Sequence, residues 1–510
     1  MRKLFRILFS RYFASFIIIL FDIAVLAVIG FRLYEYSVYF IALFVAVNLL
    51  TLVAIINDEC NPEYKVTWIT IVTLLPGFGS LLYILFRRRR MSKKNARKME
   101  DLNKRIAEAS HSDEAFSSLA KEDRSAAGKA MAILSLDPTA EVYRGTYSRF
   151  YSSAERMLRD MLVDMSRARK YIFLEYFIVE DGYMWGEIFK TLKERVKKGV
   201  DIRVMYDDIG CMSKLKRNFK SDLEKEGIKV SVFSPVRPRV SAEHNNRDHR
   251  KICVIDGIYA YTGGVNIADE YINKVERFGH WKDGGVRLEG EAAEGMLKLF
   301  LLGWGMMNGG EEDYSHFFQK LDTPTDDGGY YIPFGSGPKP IYKGQVGKRA
   351  ILDIVNQATT YIYITTPYLI IDYDLSEALR GAAVRGVDVR IITPKIPDKK
   401  MIKVLTKSAY PSLIEAGVAI YEYTPGFIHE KTLVCDGLYA ILGTINMDYR
   451  SLVHHYEDAV WIYNSPTVSA AERAFLDTVE QSERIEGKGA RLGFVARVVR
   501  NLIRLFAPLL

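Results

Sequence analysis

The chain has 510 residues, about half of them hydrophobic, and a formal net charge of +8. That length is too great for one simple domain, and the modest positive charge suits an anionic partner without separating nucleic acid from an anionic membrane. Four widely spaced cysteines (Cys60, Cys211, Cys253, Cys435) with no CxxC pair argue against a secreted disulfide scaffold and for unpaired thiols.

Hydrophobicity concentrates in the first 86 residues, as apolar stretches at 12–29, 38–56 and 66–86. Each approaches the roughly 20 residues a helix needs to cross a bilayer. A cleaved leader fits poorly, because the first stretch carries Asp22 and two similar stretches follow it. The run Arg87-Arg88-Arg89-Arg90, continued by Lys93, Lys94, Arg97 and Lys98, predicts that everything after residue 86 faces the cytoplasm. Arg2, Lys3, Arg6 and Arg11 ask for the same side, which three full crossings cannot give. The third stretch holds Pro76-Gly77-Phe78-Gly79 at its middle, the easiest place for a segment that enters and leaves on one face. Residues 1–90 are thus expected to be a transmembrane anchor of two to three apolar segments in a cell membrane. Residues 91–138, charged and Ala/Ser-rich, read as a polar helix plus linker whose basic start touches anionic headgroups.

The remainder contains itself twice. Tyr171-Ile172-Phe173-Leu174-Glu175-Tyr176-Phe177 matches Tyr361-Ile362-Tyr363-Ile364-Thr365-Thr366-Pro367-Tyr368 as a buried strand. Helical patterns follow at 185–197 and 375–385, then Gly199-Val200-Asp201-Ile202-Arg203-Val204 and Gly386-Val387-Asp388-Val389-Arg390-Ile391. A helix-ending glycine feeding a second strand predicts a β-α-β unit in each copy. The copies are expected to span 139–320 and 321–488. At 489–510, Arg491, Arg497, Arg500 and Arg504 punctuate an apolar run, the pattern of a basic amphipathic helix at an anionic interface.

Both copies carry HxK(x)4D: His249, Lys251 and Asp256 in one, His429, Lys431 and Asp436 in the other, followed by Asn266 and Asn446. Paired elements lie 190, 187 and 180 residues apart, so the copies align with small insertions. In a strand, positions i and i+2 share a face, so each His–Lys pair points one way, and a pseudo-twofold would bring both pairs into one cleft. Two imidazoles suit a two-step displacement at phosphorus, one as nucleophile and one as acid and base. The lysines with Asn266 and Asn446 would stabilise charge on the phosphoryl oxygens, so no cofactor and no metal are expected. Asp283 and Glu457 are expected to hold the second nitrogen of the imidazoles. Asp256 and Asp436, each before a glycine, read as turn stabilisers rather than proton shuttles. His244, His280, His316, His454 and His455 have no counterpart in the other copy and read as surface or packing residues.

These motifs resemble those of the phospholipase D superfamily. The likeness extends to bacterial cardiolipin synthases through Thr366-Pro367-Tyr368, the runs 263–271 and 443–451, and the membrane segments Lys65-Val66-Thr67-Trp68, Leu75-Pro76-Gly77-Phe78-Gly79 and Leu82-Tyr83. The resemblance implies an α/β fold of duplicated phospholipase D-type mixed sheets flanked by helices, related by a pseudo-twofold and preceded by a transmembrane helical region. It implies a phosphatidyltransferase moving a phosphatidyl group between two phosphatidylglycerol molecules through a phosphohistidine, with glycerol released. His249 is the nucleophile by that analogy, a choice the residues themselves leave open. Position 264 is Gly where Thr444 stands in the second copy, so the halves are not equivalent. A hydrolase of the same chemistry and a phosphatidylserine synthase-like transferase are the alternatives. The apolar segments and the lack of an aromatic-interleaved basic groove argue against a nuclease. Phosphatidylglycerol and anionic lipids, rather than nucleic acid, are the expected partners, with Tyr176, Phe177 and Tyr368 as candidates for the acceptor pocket.

Overall fold

The computed structural model describes residues 24, 37–87, 93–109, 115–235, 246–318, 326–486 and 504–506. They fall into two compact units divided between Arg87 and Arg88. The stretch at 12–29, His244 and all but three residues of the C-terminal segment lie outside the described residues.

In the first unit α1 (Ser37–Ile56) is an unbroken apolar run. Its 19 residues from Val38 to Ile56 have a mean hydropathy of 2.6, and at about 1.5 Å per residue they come close to the roughly 30 Å hydrocarbon thickness. Among the described residues this is the one helix long and apolar enough to cross a membrane. The third apolar stretch is not a single span. It divides into α2 (Pro62–Leu74) and α3 (Phe78–Phe86), because Pro76 lacks an N–H and Gly77 turns the chain at φ +80°. Trp68 packs edge-on against Tyr83 at 5.3 Å, and Gly79 lies against the backbone of Ile71 and Val72, so the two helices run antiparallel as a hairpin. Asn48 of α1 closes the break. Its Nδ2 donates to Val72 O at 3.1 Å, and its Oδ1 accepts from Gly77 N at 3.0 Å and Ser80 Oγ at 2.5 Å.

Residues 91–138, expected as a polar helix plus linker, are helical over most of their described length. They form α4 (Lys93–Ala109), α5 (Ala115–Glu122) and α6 (Arg124–Leu136). Leu102, Ile106, Leu119, Ala126, Ala130 and Ile133 are buried in the main core of the second unit. Within α4 and within α6 these residues stand three or four apart, a narrow stripe on each otherwise polar helix.

The repeat is visible in the sheets. The first has the order β1-β8-β6-β5-β2-β3-β4, with β1 (Thr146–Tyr151), β2 (Tyr171–Tyr176), β3 (Asp201–Asp207), β4 (Lys229–Phe233), β5 (Lys251–Ile255), β6 (Tyr259–Gly263) and β8 (Gly285–Gly290). The second reads β9-β18-β16-β15-β10-β12-β13-β19, with β9 (Tyr330–Ser336), β10 (Tyr361–Thr365), β12 (Asp388–Pro394), β13 (Ala419–Tyr423), β15 (Thr432–Cys435), β16 (Tyr439–Gly443), β18 (Glu457–Tyr463) and β19 (Ser482–Arg484). Apart from β19 the orders superpose strand for strand. In each, the inner strand pairs in parallel with the strand after the crossover helix and antiparallel with the strand that follows the motif histidine. The glycines that end the crossover helices are Gly199 (φ +81°) and Gly386 (φ +93°), left-handed positions that Gly adopts without a Cβ penalty. Side chains alternate along β2: Phe173 faces a core that runs through both halves, while Ile172 and Leu174 face a second core confined mainly to the first.

Candidate active site

Two short parallel pairings join the halves, and the site is built on them. β14 (Gly426–Ile428) pairs with β7 (His280–Lys282), and His429 N donates to Lys282 O at 2.8 Å. Asp248 bridges Tyr456, and His249 N donates to Tyr456 O at 2.8 Å. Each motif histidine therefore sits one step past a strand of its own half and beside the carboxylate residue of the other. The side chains meet accordingly. His249 Nδ1 lies 2.9 Å from Glu457 Oε2, and His429 Nδ1 lies 2.7 Å from Asp283 Oδ2. Asp283 and Glu457 stand where the sequence reading put them in the chain, but each serves the histidine of the opposite copy. With Nδ1 given to a carboxylate, each imidazole keeps Nε2 for chemistry.

The two pairs are not equivalent. Glu457 accepts Thr444 Oγ1 at 2.5 Å and Ser451 Oγ at 2.6 Å. Burial opposes its charge, but the facing His249 ring, and after it His455, hold the carboxyl well below the usual range. Asp283 has Gly284 N at 2.8 Å. Burial pushes its carboxyl up to about 6, against the charge of Lys431. The Gly264/Thr444 difference has a steric origin. A Cβ at Gly264 would come within 2.0 Å of Asp283 Oδ1 and 2.7 Å of His429 O.

Burial drives the His249 imidazole down to about 3, with Glu457 pulling the other way. Burial and then the charge of Lys431 hold His429 well below its ordinary value. Lys251 Nζ donates to His249 O at 2.6 Å, and Lys431 Nζ to His429 O. Burial lowers these ammonium groups to about 8 and about 7, with Glu457 and Asp283 respectively opposing the shift.

The other motif residues are placed differently. Asp256 and Asp436 lie at the far ends of β5 and β15, with φ of +54° and +53°. Asp256 accepts the N–H groups of Arg169, Lys170 and Tyr171, and Asp436 those of Thr359, Thr360 and Tyr361. They tie down the start of the inner strands and are remote from both imidazoles, so their place is not among the catalytic groups. Asn266 is spent on the fold: Oδ1 accepts Ile178 N at 3.0 Å, and Nδ2 donates to Tyr271 Oη at 2.8 Å. Asn446 is buried with its Oδ1 unpartnered.

Aromatic rings wall the cleft. Phe177 packs on His249 at 5.2 Å, and Tyr271, Trp281 and Phe427 surround His429 at 5.5–5.9 Å. Tyr368 stacks near Phe427 at 6.5 Å. Tyr176 instead points into the second core, its hydroxyl toward Met161. His455, read from sequence as incidental, stands 5.6 Å from the His249 ring and 3.7 Å from Glu457. Its spacing of two from Glu457 was the available signal. Ligand atoms of His249, His455 and Glu457 lie within 4.8 Å of one another, a set that could take a divalent cation only by disturbing the His249–Glu457 hydrogen bond.

The family described as "Cardiolipin synthase, PLD-like domain" matches residues 161–276 and 351–478, and "Phospholipase_D-nuclease N-terminal" matches 46–88. An uncharacterised protein of Streptococcus mutans is 38% identical over 89% of this chain and 98% of its own length. Cardiolipin synthase 2 of Bacillus cereus is 33% identical over 89% of this chain and 88% of its own. The cardiolipin synthase of Halalkalibacterium halodurans is 31% identical over 90% and 91%. The crystal structure of phosphatidylserine synthase from Haemophilus influenzae shares the fold, with a TM-score of 0.53 at 16% identity over 71% of this chain and 93% of that one. The chain belongs to the cardiolipin synthase family of phospholipase D-like proteins.

Proposed function

We propose that this chain is a cardiolipin synthase in which His249 is the nucleophile and His429 the acid and base. The carrying observation is the crossed pair of imidazoles, each with Nδ1 on a buried carboxylate, beside two buried ammonium groups. Nε2 of His249 attacks the phosphorus of one phosphatidylglycerol. The P–N bond forms, the P–O bond to the glycerol headgroup breaks, and His429 gives its Nε2 proton to the departing oxygen. A second phosphatidylglycerol then yields its terminal hydroxyl proton to His429 and attacks phosphorus, and the P–N bond breaks. Burial, and then the charges of Lys431 and Lys251, disfavour the His429 imidazolium; a bound phosphodiester anion would offset those charges and so raise the affinity of His429 for a proton. The stronger support of Glu457 favours His249 as nucleophile, because imidazole that becomes phosphorylated needs a partner that stays ionised throughout.

The same reading places the chain in the bacterial membrane with its catalytic part toward the cytoplasm. α1 would cross once, and α2–α3 would enter to the level of Asn48 and return, so that Asp58 and Arg87 end on one face. The hairpin turn at 75–77 and its closure by Asn48 support this. It leaves the basic run that begins at Arg87 on the cytoplasmic side.

Incubating the purified enzyme with phosphatidylglycerol vesicles, without added metal, is expected to give cardiolipin and glycerol in equal amounts by mass spectrometry. Phosphatidic acid as the main product would make the chain a hydrolase and overturn the transferase reading.

A further inference from the structure

The segments that follow β3 and β12 occupy equivalent places in the two repeats, and each is attached to a ring that packs beside a motif histidine. In the first half, residues 208–220 include Cys211, whose Sγ accepts Val179 N at 3.1 Å and donates to Phe177 O at 3.5 Å. Gly210 lies against the same carbonyl, where a Cβ would approach to 2.0 Å. Phe177 is the ring on His249. In the second half, residues 395–404 include Asp398, which accepts Tyr368 Oη at 2.7 Å. Tyr368 leans on Phe427, and Phe427 on His429.

Each segment carries four basic residues against one acidic. Each also turns large apolar side chains outward: Met212 is 55% exposed in the first, and Ile396, Met401 and Val404 are 39%, 50% and 42% exposed in the second. Arg217, Lys399 and Lys400 are exposed and enter no ion pair among the described residues, whereas Lys214, Lys216, Lys220, Lys395 and Lys403 each face a carboxylate. Basic side chains interleaved with exposed apolar ones are what an anionic lipid interface selects: the apolar groups enter the headgroup boundary and the cations stay with the phosphates. A soluble protein partner would ask for a polar rim with the charged residues depleted at the centre.

We propose that these two repeat-related segments are a pair of bilayer-docking lips, one beside each histidine, that seat the mouth of the cleft on an anionic lipid surface. The proposal rests on the reading of the site as one that acts on bilayer phospholipid. Seating both lips would hold Phe177 and Tyr368 at the surface, so that a phosphatidylglycerol headgroup reaches His249 Nε2 without its acyl chains leaving the bilayer.

The test uses the full chain in phosphatidylcholine vesicles with and without phosphatidylglycerol. A bimane fluorophore is placed on Ile396→Cys or Met212→Cys in a Cys60→Ser background, since Cys211, Cys253 and Cys435 are buried. Quenching by shallow doxyl-labelled lipid, stronger with phosphatidylglycerol present, is expected whether or not turnover occurs, so failure of the catalytic reading would leave this signal intact. Quenching by aqueous iodide alone would overturn the proposal. In parallel, Arg217→Glu/Lys399→Glu/Lys400→Glu is expected to lose at least tenfold in headgroup release from vesicle phosphatidylglycerol, through KM. On monomeric dihexanoyl-phosphatidylglycerol it is expected to keep wild-type kcat/KM. Equal loss on both substrates, or no loss on vesicles, would each overturn it.

Discussion

His249 and His429 differ in how their carboxylates are held, and that difference is measurable. Replacing either ring by Ala is expected to lower turnover by at least about a thousandfold while the protein still inserts in membranes, because it removes a bond-forming or proton-transferring group. Thr444→Val takes one donor from Glu457. A buried hydrogen bond to a charged group is worth about 1.5–3 kcal/mol, so kcat should fall about 10- to 100-fold with KM little changed. The pH profile of kcat/KM is expected to be bell-shaped. As pH falls through about 6, Asp283 takes a proton and no longer accepts from His429. As pH rises through about 7 and then 8, Lys431 and Lys251 lose their charge. A flat profile between pH 5 and 9 would contradict the assignment. Zinc is expected to inhibit by taking His249, His455 and Glu457, and a chelator to restore activity. At this scale HxK(x)4D was readable because its side chains recur at fixed spacing, and so were the carboxylates 283 and 457. Their crossing was not, because only the pairing of β14 with β7 decides which copy each one serves. Thr444 and Ser451 escaped for the same reason: a hydroxyl carries no charge pattern in sequence.

Among the elements, the strands after the histidines were legible from their apolar runs and the crossover helices from their closing glycines. Of the helices at 93–136 only one was expected, as a polar helix beside a linker, since a stripe as thin as Leu102, Ile106, Leu119 and Ile133 reads as polar when averaged over a window. The aspartates that close the motifs act at this scale. Asp256→Ala strands three backbone N–H groups at the start of β2. The expected loss is about 2–4 kcal/mol of stability by denaturant unfolding of the catalytic unit, with kcat of the folded fraction unchanged. In the anchor, Gly77→Ala meets both a positive φ and Phe44 at 2.6 Å. It is expected to destabilise the hairpin and to change the protease sensitivity of the loop around Cys60.

Taken whole, the catalytic unit is two copies of one topology whose sheets share a core yet whose chemistry is exchanged. Neither histidine finds its carboxylate at home: Glu457 reaches back across 208 positions to His249, and Asp283 forward across 146 to His429. A chain ending between the copies would hold a motif and a carboxylate that cannot meet. Two such chains, set face to face, could complete each other twice over. The arrangement thus carries the geometry of a symmetric dimer inside one polypeptide, and covalent fusion is what lets its members age differently. Once joined, one copy could adopt Glu with a threonine beneath it and the other Asp with a glycine, a divergence that identical subunits could never divide between themselves.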